Sequence, residues 1–263
     1  MERETIEFDV AEKVATITLN RPDHLNSFNE TMALDLKWAW ETCRDTDDIH
    51  CVVLQANGDR AFCTGMDVTE GGAGGDWFTF DNPWNSFDPG IALAPKFRHR
   101  LWKPVITAVH GLCAGGAQYF LNESDIIICS DDAAFFDPHA NVGIVSALEP
   151  IGMLHRGVPL GDVLRWALMG TEERITAATA LRIGLVTEVL PRAELRDRAR
   201  EIALSIAARD SKAVQGTVRA IWESLEMPRN IAINNGLSYT QIGNPPPSEV
   251  SAAPRTKRET QYR

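Results

Sequence analysis

Short apolar segments of this chain are followed by glycine-bearing turns and then by helical or polar segments. The segment PVITAVHG runs into GLCAGGAQYF, and HCVVLQAN is followed within a few residues by AFCTGMDV. Apolar runs of this length, bounded by turn signals, are typical of buried strands in parallel sheets. Strand, turn and helix thus repeat along the chain, whose length fits two small domains or one larger α/β domain with an appendage.

The remaining segments extend this plan. The opening TIEFDVAEKVATITLNRP alternates like two strands joined by a turn, and an amphipathic helix is predicted from Asn26 onward. ESDIIICSDDAAFF predicts a strand and its neighbour, residues 161–191 are mostly helical around the short strand LVTEVL, and one or two helices follow from Arg192. We predict a core over residues 1–195, a helical region over 196–245 and an exposed, proline-rich tail over 246–263.

Composition and charge restrict the partners. The 263 residues are 44% hydrophobic and 24% charged, as in ordinary soluble proteins. A formal net charge of -10 disfavours nucleic acids and anionic membranes, which need a positive surface. No segment approaches the roughly 20 apolar residues of a membrane span, and the start MERETIEF lacks the pattern of a signal peptide. We therefore expect a cytoplasmic protein with no nucleic-acid or membrane partner.

The cysteines favour the same compartment. No CxxC pair is present and most cysteines lie within apolar runs, which predicts buried, reduced thiols and no zinc or other metal site. The isolated histidines have no partner at metal-ligand spacing, so we assign them no catalytic role; they are His24, His50, His99 and His110. The five cysteines are Cys43, Cys51, Cys63, Cys113 and Cys129.

The two glycine-bearing turns, FCTGMDV and GLCAGGAQYF, are candidates for binding negative charge. Such turns point free backbone N–H groups at an anion, and the partial positive charge of a helix N-terminus adds to the effect. The alternative is that the glycines only permit tight turns and close packing. No GxSxG, GxGxxG or GxxxxGK[ST] motif is present, so a serine-hydrolase elbow and the common nucleotide-phosphate loops have no support.

Five segments, in this order, resemble the enoyl-CoA hydratase/isomerase (crotonase) superfamily over approximately residues 5 to 195. They are VATITLNRPDHLNSFN, AFCTGMDV, KPVITAVHGLCAGGAQ, SDIIICSDDAAFFDPHANVG and GTEERITAATALRIGLVTEVLP. The resemblance implies an α/β, crotonase-like spiral of ββα units with a helical C-terminal trimerisation region. It also implies a homotrimer or a homohexamer.

The resemblance further implies an acyl-CoA thioester as substrate, with coenzyme A entering only as part of it and no prosthetic group. Two backbone N–H groups hold the thioester oxygen while an enolate forms. The matching positions are Met66 and Gly116. The CoA moiety is expected near RPDHLNSF, which makes Arg21, His24, Thr64 and Lys96 candidate contacts, with Arg98 as a further cation. Each of these cations is alternatively an ordinary solvated charge.

The chain departs from the family where the hydratases carry two glutamates. Tyr119 and His139 occupy those positions, so the standard mechanism does not transfer. His139 titrates near neutral pH and is the first replacement candidate. Glu149 is the second, in a loop where other branches of the superfamily place a carboxylate. Asp137 and Tyr119 either orient these groups or donate a hydrogen bond to the substrate. Alternatively, His139 caps or packs, and Glu149 pairs with an arginine such as Arg156.

An aromatic, glycine-rich stretch and the tail complete the predictions. The aromatic residues form a broad acyl pocket or only pack their loop onto the body. The tail keeps only Lys257-Arg258 of the family's usual ending, which leaves its contacts to CoA or to a neighbour open. The aromatic residues are Trp77, Phe78, Phe80, Trp84 and Phe87.

Three functions follow. The first is an acyl-CoA enzyme of the hydratase/isomerase type that stabilises a thioester enolate. The second is another reaction of the same enolate, either double-bond isomerisation or C–C hydrolysis. The third is a non-catalytic acyl-CoA-binding protein that kept the two amide donors and lost the acids.

Overall fold

A computed structural model describes residues 3–69, 93–246 and 248. The aromatic residues of the predicted acyl loop and nearly all of the predicted tail, including Lys257-Arg258, lie outside the described residues. The chain begins with a hairpin of β1 (Ile6–Ala11) and β2 (Val14–Leu19), as the alternation predicted.

The other strands are short and mostly buried. They are β3 (Cys51–Ala56), β4 (Ala61–Cys63), β5 (Val105–Val109), β6 (Leu112–Ala114), β7 (Ile126–Ser130), β8 (Ala134–Phe136), β9 (Ile175–Thr176) and β10 (Glu188–Leu190). The helices are α1 (Glu30–Asp45), α2 (Gln118–Asn122), α3 (Leu148–His155), α4 (Leu160–Met169), α5 (Ala177–Arg182), α6 (Leu195–Ala207), α7 (Ser211–Ser224) and α8 (Arg229–Gly243).

The strands form two sheets. The first has the order β1-β2-β3-β5-β7-β10, in which only β1 runs antiparallel to its neighbour. The second has the order β4-β6-β8-β9, with β9 antiparallel. In each successive pair of strands, the first strand belongs to the first sheet and the second strand to the second sheet. These pairs are β3 and β4, β5 and β6, and β7 and β8. The backbone is therefore a spiral that repeats two strands and a connection, as the sequence predicted.

Helix α1 begins later than the sequence predicted. Its N-cap is Asn29, whose side chain accepts a hydrogen bond of 3.0 Å from the amide of Met32. Asn26 instead closes the loop before the helix, since its amide group donates to the carbonyl oxygens of Asn57 and Ala61. The loop that leads into the candidate site is thus fixed to β4 rather than wound into the helix.

The region predicted to be helical contains three helices, and the first of them packs on the large sheet. Leu195, Ala199, Ala203 and Ala207 recur every fourth residue of α6 and are buried against β3, β5 and β7. Helix α7 is attached farther along by Trp222, whose ring N–H donates to Asp125 at 2.6 Å. A domain boundary near residue 195 stays a prediction.

All five cysteines are free and buried, as predicted. Burial raises the pKa of the Cys63 thiol to about 12, so this thiol stays protonated. Among residues 3–69 and 93–246, no cluster of three or more histidine, cysteine or acidic side chains has the geometry of a metal site. No helix of these ranges has both the length and the apolar character needed to cross a membrane.

Candidate active site

The two glycine-bearing turns lie against each other. A Cβ atom placed on Gly65 would be 3.0 Å from the carbonyl oxygen of Ala114 and 3.1 Å from the amide nitrogen of Gly116. Gly65 also has a φ of +85°, in the region that favours glycine. The glycine at position 65 therefore allows the turn after β4 to approach the turn after β6 closely.

Both predicted amide donors lie at one cavity of about 600 Å³. Met66 forms a bridge with Phe28, and a Cβ atom on Gly116 would lie only 2.8 Å from the Phe28 ring. Within the part of the chain that the structure describes, neither the amide of Met66 nor that of Gly116 donates a backbone hydrogen bond. Two backbone N–H groups from distant turns thus lie at one cavity without a backbone acceptor in the described chain.

Asp67 anchors the turn that carries Met66. Its carboxylate accepts hydrogen bonds from Arg21 at 2.9 Å and from the amide and hydroxyl of Thr69 at 3.0 and 2.6 Å. The Arg21 guanidinium also donates to the carbonyl oxygen of Ser27 at 2.6 Å. Since this ion pair is almost completely buried, the charge of Arg21 is already neutralised beneath the cavity wall. The prediction that Arg21 contacts CoA is corrected: Arg21 supports the loop.

His139 lies beside the turn of Gly115 and Gly116, since a Cβ atom placed on Gly115 would be 3.7 Å from the His139 ring. It is paired with Asp137. The ring Nδ1 is hydrogen-bonded to the Asp137 carboxylate, which also accepts from the His139 backbone amide. This hydrogen bond raises the pKa of His139 above its usual range, with burial opposing it and the charges of Asp137 and Glu149 adding to it. Because Nδ1 is held by Asp137, Nε2 is the nitrogen left for a substrate.

Burial works against ionisation of Asp137, yet its pKa is lowered. The hydrogen bonds from His139 and Ser146 and the positive charge of His139 outweigh the burial. The contact to Ser146 is loose, since neither the Ser146 hydroxyl nor the second Asp137 oxygen makes a hydrogen bond of good geometry in the described chain. Asp137 is therefore an ionised carboxylate whose principal partner is His139.

Glu149 reaches the same cavity from the first turn of α3. Burial raises its pKa, while its own backbone amide, His139 and the Tyr119 hydroxyl lower it. Tyr119 comes from α2 and also lines the cavity. The structure thus brings together Tyr119, Asp137, His139 and Glu149. Arg156 does not pair with Glu149; it donates to the carbonyl oxygens of Asn122 and Ser124.

The residues predicted to contact CoA divide into those that line the active cavity and those that do not. His24 and Thr64 line the cavity, and the His24 ring is about half exposed. Arg60, which the sequence analysis missed, is exposed at the same cavity, immediately before β4. Its place directly before the FCTGMDV turn is the signal that could have identified it, because a residue flanking an oxyanion turn lies near the thioester.

Lys96 is corrected. Its side chain is fully buried, and its ammonium group forms an ion pair with Asp125 at 2.5 Å and donates to the carbonyl oxygen of Lys103 at 2.8 Å. A lysine with its charge paired inside the protein cannot reach a phosphate at the surface. Arg98 is exposed but does not line the main cavity.

Comparisons with known proteins identify the family of this chain. The family model described as enoyl-CoA hydratase/isomerase matches residues 9–242. An (E)-benzylidenesuccinyl-CoA hydratase from Thauera aromatica is 30% identical, over 90% of this chain and 88% of that protein. A short-chain-enoyl-CoA hydratase from Clostridium acetobutylicum is also 30% identical, over 89% and 87%.

Solved structures show the same architecture. The crystal structure of an enoyl-CoA hydratase/isomerase from Mycobacterium paratuberculosis superimposes with a TM-score of 0.83 and 36% identity. The match covers 91% of this chain and 90% of that one. The predicted crotonase-like fold and the resemblance on which it rested are both confirmed.

Proposed function

Because the chain belongs to the enoyl-CoA hydratase/isomerase family, we propose that it adds water across the double bond of an enoyl-CoA, using Glu149 and His139. The observation that carries this proposal is the meeting of four groups at one cavity. The backbone amides of Met66 and Gly116 share this cavity with two titratable side chains, His139 and Glu149. Hydration needs both an oxyanion site and a pair of proton-transfer groups.

The roles follow from the protonation states. Glu149 is the base: its carboxylate takes a proton from water, and the water oxygen bonds to the β carbon. The electron pair of the double bond moves toward the thioester, whose oxygen becomes negative and is held by the two amides. His139, kept protonated by Asp137, then gives its ring proton to the α carbon, and the enolate electrons form that C–H bond.

The pKa directions support this division. The hydrogen bond to Asp137 raises the pKa of His139, so a larger fraction is imidazolium at neutral pH. Burial raises the pKa of Glu149 from 4.5, which makes this carboxylate a stronger base than a solvated one. Names of two relatives, both hydratases of CoA thioesters, favour the same reaction.

The test is turnover of a panel of enoyl-CoA thioesters, followed by the mass of the acyl product. Hydration increases the acyl mass by one water, whereas double-bond isomerisation leaves the mass unchanged and C–C hydrolysis adds water and opens or shortens the acyl group. If the acyl product has the mass of the substrate, the reaction is isomerisation and not hydration. Tight binding without turnover over the whole panel would instead support a binding protein.

We assign the CoA moiety to the side of the cavity lined by His24, Arg60 and Thr64. Arg60 and His24 are the described basic side chains that line this cavity apart from His139. Phosphate groups need such cations in a chain whose net charge is -10. No prosthetic group takes part in the proposed steps, and a cytoplasmic location stays a prediction.

We also propose that the chain assembles with copies of itself, as the sequence analysis expected. Helix α4 exposes Leu160, Leu164 and Leu168, one on each turn, while its other face is buried. A continuous apolar stripe on a surface helix is typical of an interface. We expect sedimentation to give a trimer or a hexamer, and Leu164→Glu to shift it toward monomer. A wild-type monomer would contradict the proposal.

The pairing of Asp137 with His139 predicts a pH effect. Asp137→Asn removes the negative charge that raises the pKa of His139, so His139 loses its proton at a lower pH. Because the acid must be protonated, the alkaline limb of the kcat/KM profile is expected to move to lower pH, with roughly a tenfold or greater loss at pH 8. Asp131→Asn, at a neighbouring exposed turn, is the control. An unmoved limb in Asp137→Asn would remove Asp137 from the mechanism.

A further inference from the structure

Asn122, the last residue of α2, is hydrogen-bonded to the backbone of the proposed base. Its side-chain Nδ2 donates to the carbonyl oxygen of Glu149 at 3.0 Å. Its Oδ1 accepts from Nε2 of Gln118, one turn earlier in the same helix, at 3.0 Å. Because the buried Gln118 donates to Oδ1, the Nδ2 end of the amide is directed at Glu149. Two side-chain amides in series thus connect α2 to the first turn of α3.

Helix α3 leaves room for this amide by having a glycine at position 152. A Cβ atom on Gly152 would lie 2.0 Å from Nδ2 of Asn122 and 2.4 Å from its Cγ. The φ of Gly152 is not in the positive region, so the helix backbone does not need glycine there. Glycine weakens a helix relative to alanine. The close approach of Asn122 is therefore the physical reason for glycine at this position.

The start of α3 gains little from the segment before it. Ala147, at the N-cap, makes no side-chain hydrogen bond to the helix, and the apolar side chains of residues 142–145 are 50% to 84% exposed. The other end of α3 is attached by Arg156, which donates to carbonyl oxygens at the end of α2. Asn122 makes the corresponding attachment at the end that carries Glu149.

We propose that Asn122 is a positioning residue, which holds the first turn of α3 where the carboxylate of Glu149 activates water. The inference rests on the proposed function, since it takes Glu149 as the base. Asn122 does not line the active cavity, whereas Glu149 does, so Asn122 acts through the helix backbone. A displacement of about 1 Å at a reacting group costs on the order of 10²-fold in rate, which is why one lateral hydrogen bond matters here.

A turn released from Asn122 would also carry Glu149 away from its neighbours. Burial raises the pKa of Glu149; its own backbone amide, the charge of His139 and the Tyr119 hydroxyl lower it, and the charge of Asp137 raises it less than His139 lowers it. Loss of His139 and Tyr119 as neighbours therefore raises the pKa further. Since the base must be ionised, the acidic limb of the kcat/KM profile is expected to move to higher pH.

The test reaches the same contact from both helices. Asn122→Ala removes the amide, and Gly152→Ala displaces it while favouring the helix itself. For the enoyl-CoA that the wild type hydrates fastest, we expect kcat to fall about 10 to 100-fold in each variant and the acidic limb to move to higher pH. KM is expected to change less than about threefold. Gly216→Ala, within α7, is the control, because a Cβ atom there meets no atom within 4 Å.

A double variant separates positioning from a general loss of structure. Glu149→Gln leaves no base to position, so adding Asn122→Ala is expected to lower its residual rate less than about twofold. A further loss of about tenfold would overturn the proposal, and so would an acidic limb that stays in place in both single variants. If thermal unfolding shows that Asn122→Ala does not fold, Gly152→Ala alone decides.

The pKa of Glu149 can also be measured without turnover. Nuclear magnetic resonance titration of ¹³C-labelled glutamate side chains gives it, with Glu149→Gln identifying the signal. If that pKa rises in Gly152→Ala and not in Gly216→Ala although no enoyl-CoA is hydrated, Asn122 positions Glu149 and the proposed reaction fails. If enoyl-CoA is hydrated and the pKa of Glu149 is the same in both variants as in the wild type, the positioning role is wrong and the reaction stands.

Discussion

Replacement of Glu149 by glutamine is expected to lower kcat about 10² to 10⁴-fold, the range that a positioned general base contributes. Glutamine has nearly the same shape as glutamate, but it cannot take a proton from water. KM for the enoyl-CoA is expected to change little, because the amides of Met66 and Gly116 and the CoA contacts are untouched. Steady-state hydration kinetics of the purified variant measure both quantities.

The pH dependence of activity is a second measurement that tests the role of Glu149. Burial raises the pKa of Glu149, so wild-type activity is expected to fall as the pH drops through a value above that of an ordinary glutamate. That acidic limb is expected to disappear in Glu149→Gln. The exposed Glu194→Gln is the control for loss of one surface charge. Retention of more than a tenth of wild-type kcat would exclude Glu149 as the base.

The second large effect is expected from Gly65→Ala, which separates the two oxyanion turns. Its methyl group would meet the backbone of Ala114 and Gly116 at 3.0 and 3.1 Å, and backbone atoms cannot move aside as a flexible side chain does. The amides of Met66 and Gly116 would lose their common acceptor position. Loss of one oxyanion donor costs about 3 kcal/mol, so kcat is expected to fall roughly 10² to 10³-fold.

Gly184→Ala is the matched control for Gly65→Ala. Gly184 has a φ of +76°, close to the +85° of Gly65, but a Cβ atom there would meet no atom within 4 Å. Both variants therefore carry similar backbone strain, and only Gly65→Ala adds a steric contact. Thermal unfolding of both proteins separates stability from catalysis. Equal losses of kcat in the two variants would contradict the oxyanion assignment of these turns.

The fold was predictable because its signals are local. Each strand of the spiral is a short apolar run that ends at a glycine or a polar turn, and the period of those runs is visible in the sequence. The positions Met66 and Gly116 came from the resemblance to the family, because the glycine-bearing turns by themselves are also explained by tight turns and close packing. The start of α1 was predicted too early, because Asn26 and Asn29 are both good caps and only the first is drawn away, by Asn57 and Ala61.

The roles of the cations were not predictable in this way. Arg21 and Lys96 lie in segments that resemble CoA-binding ones, yet their charges are paired with Asp67 and Asp125, 46 and 29 positions farther along the chain. Arg60 was not predicted to contact CoA, although it lines the cavity. Whether a cation meets a ligand or a carboxylate depends on which distant residue folds against it, and no local pattern records that.

The sequence by itself determined the order of strands and turns, the family, and the replacement of both usual glutamates by Tyr119 and His139. The tertiary structure decided which titratable side chains lie together at those two positions. His139 is paired with Asp137 at two residues' distance, but its meeting with Glu149 and Tyr119 joins three separate elements of the spiral. Local patterns specify backbone conformation, whereas proton-transfer groups are defined by burial and by neighbouring charges, which exist only after the chain has folded.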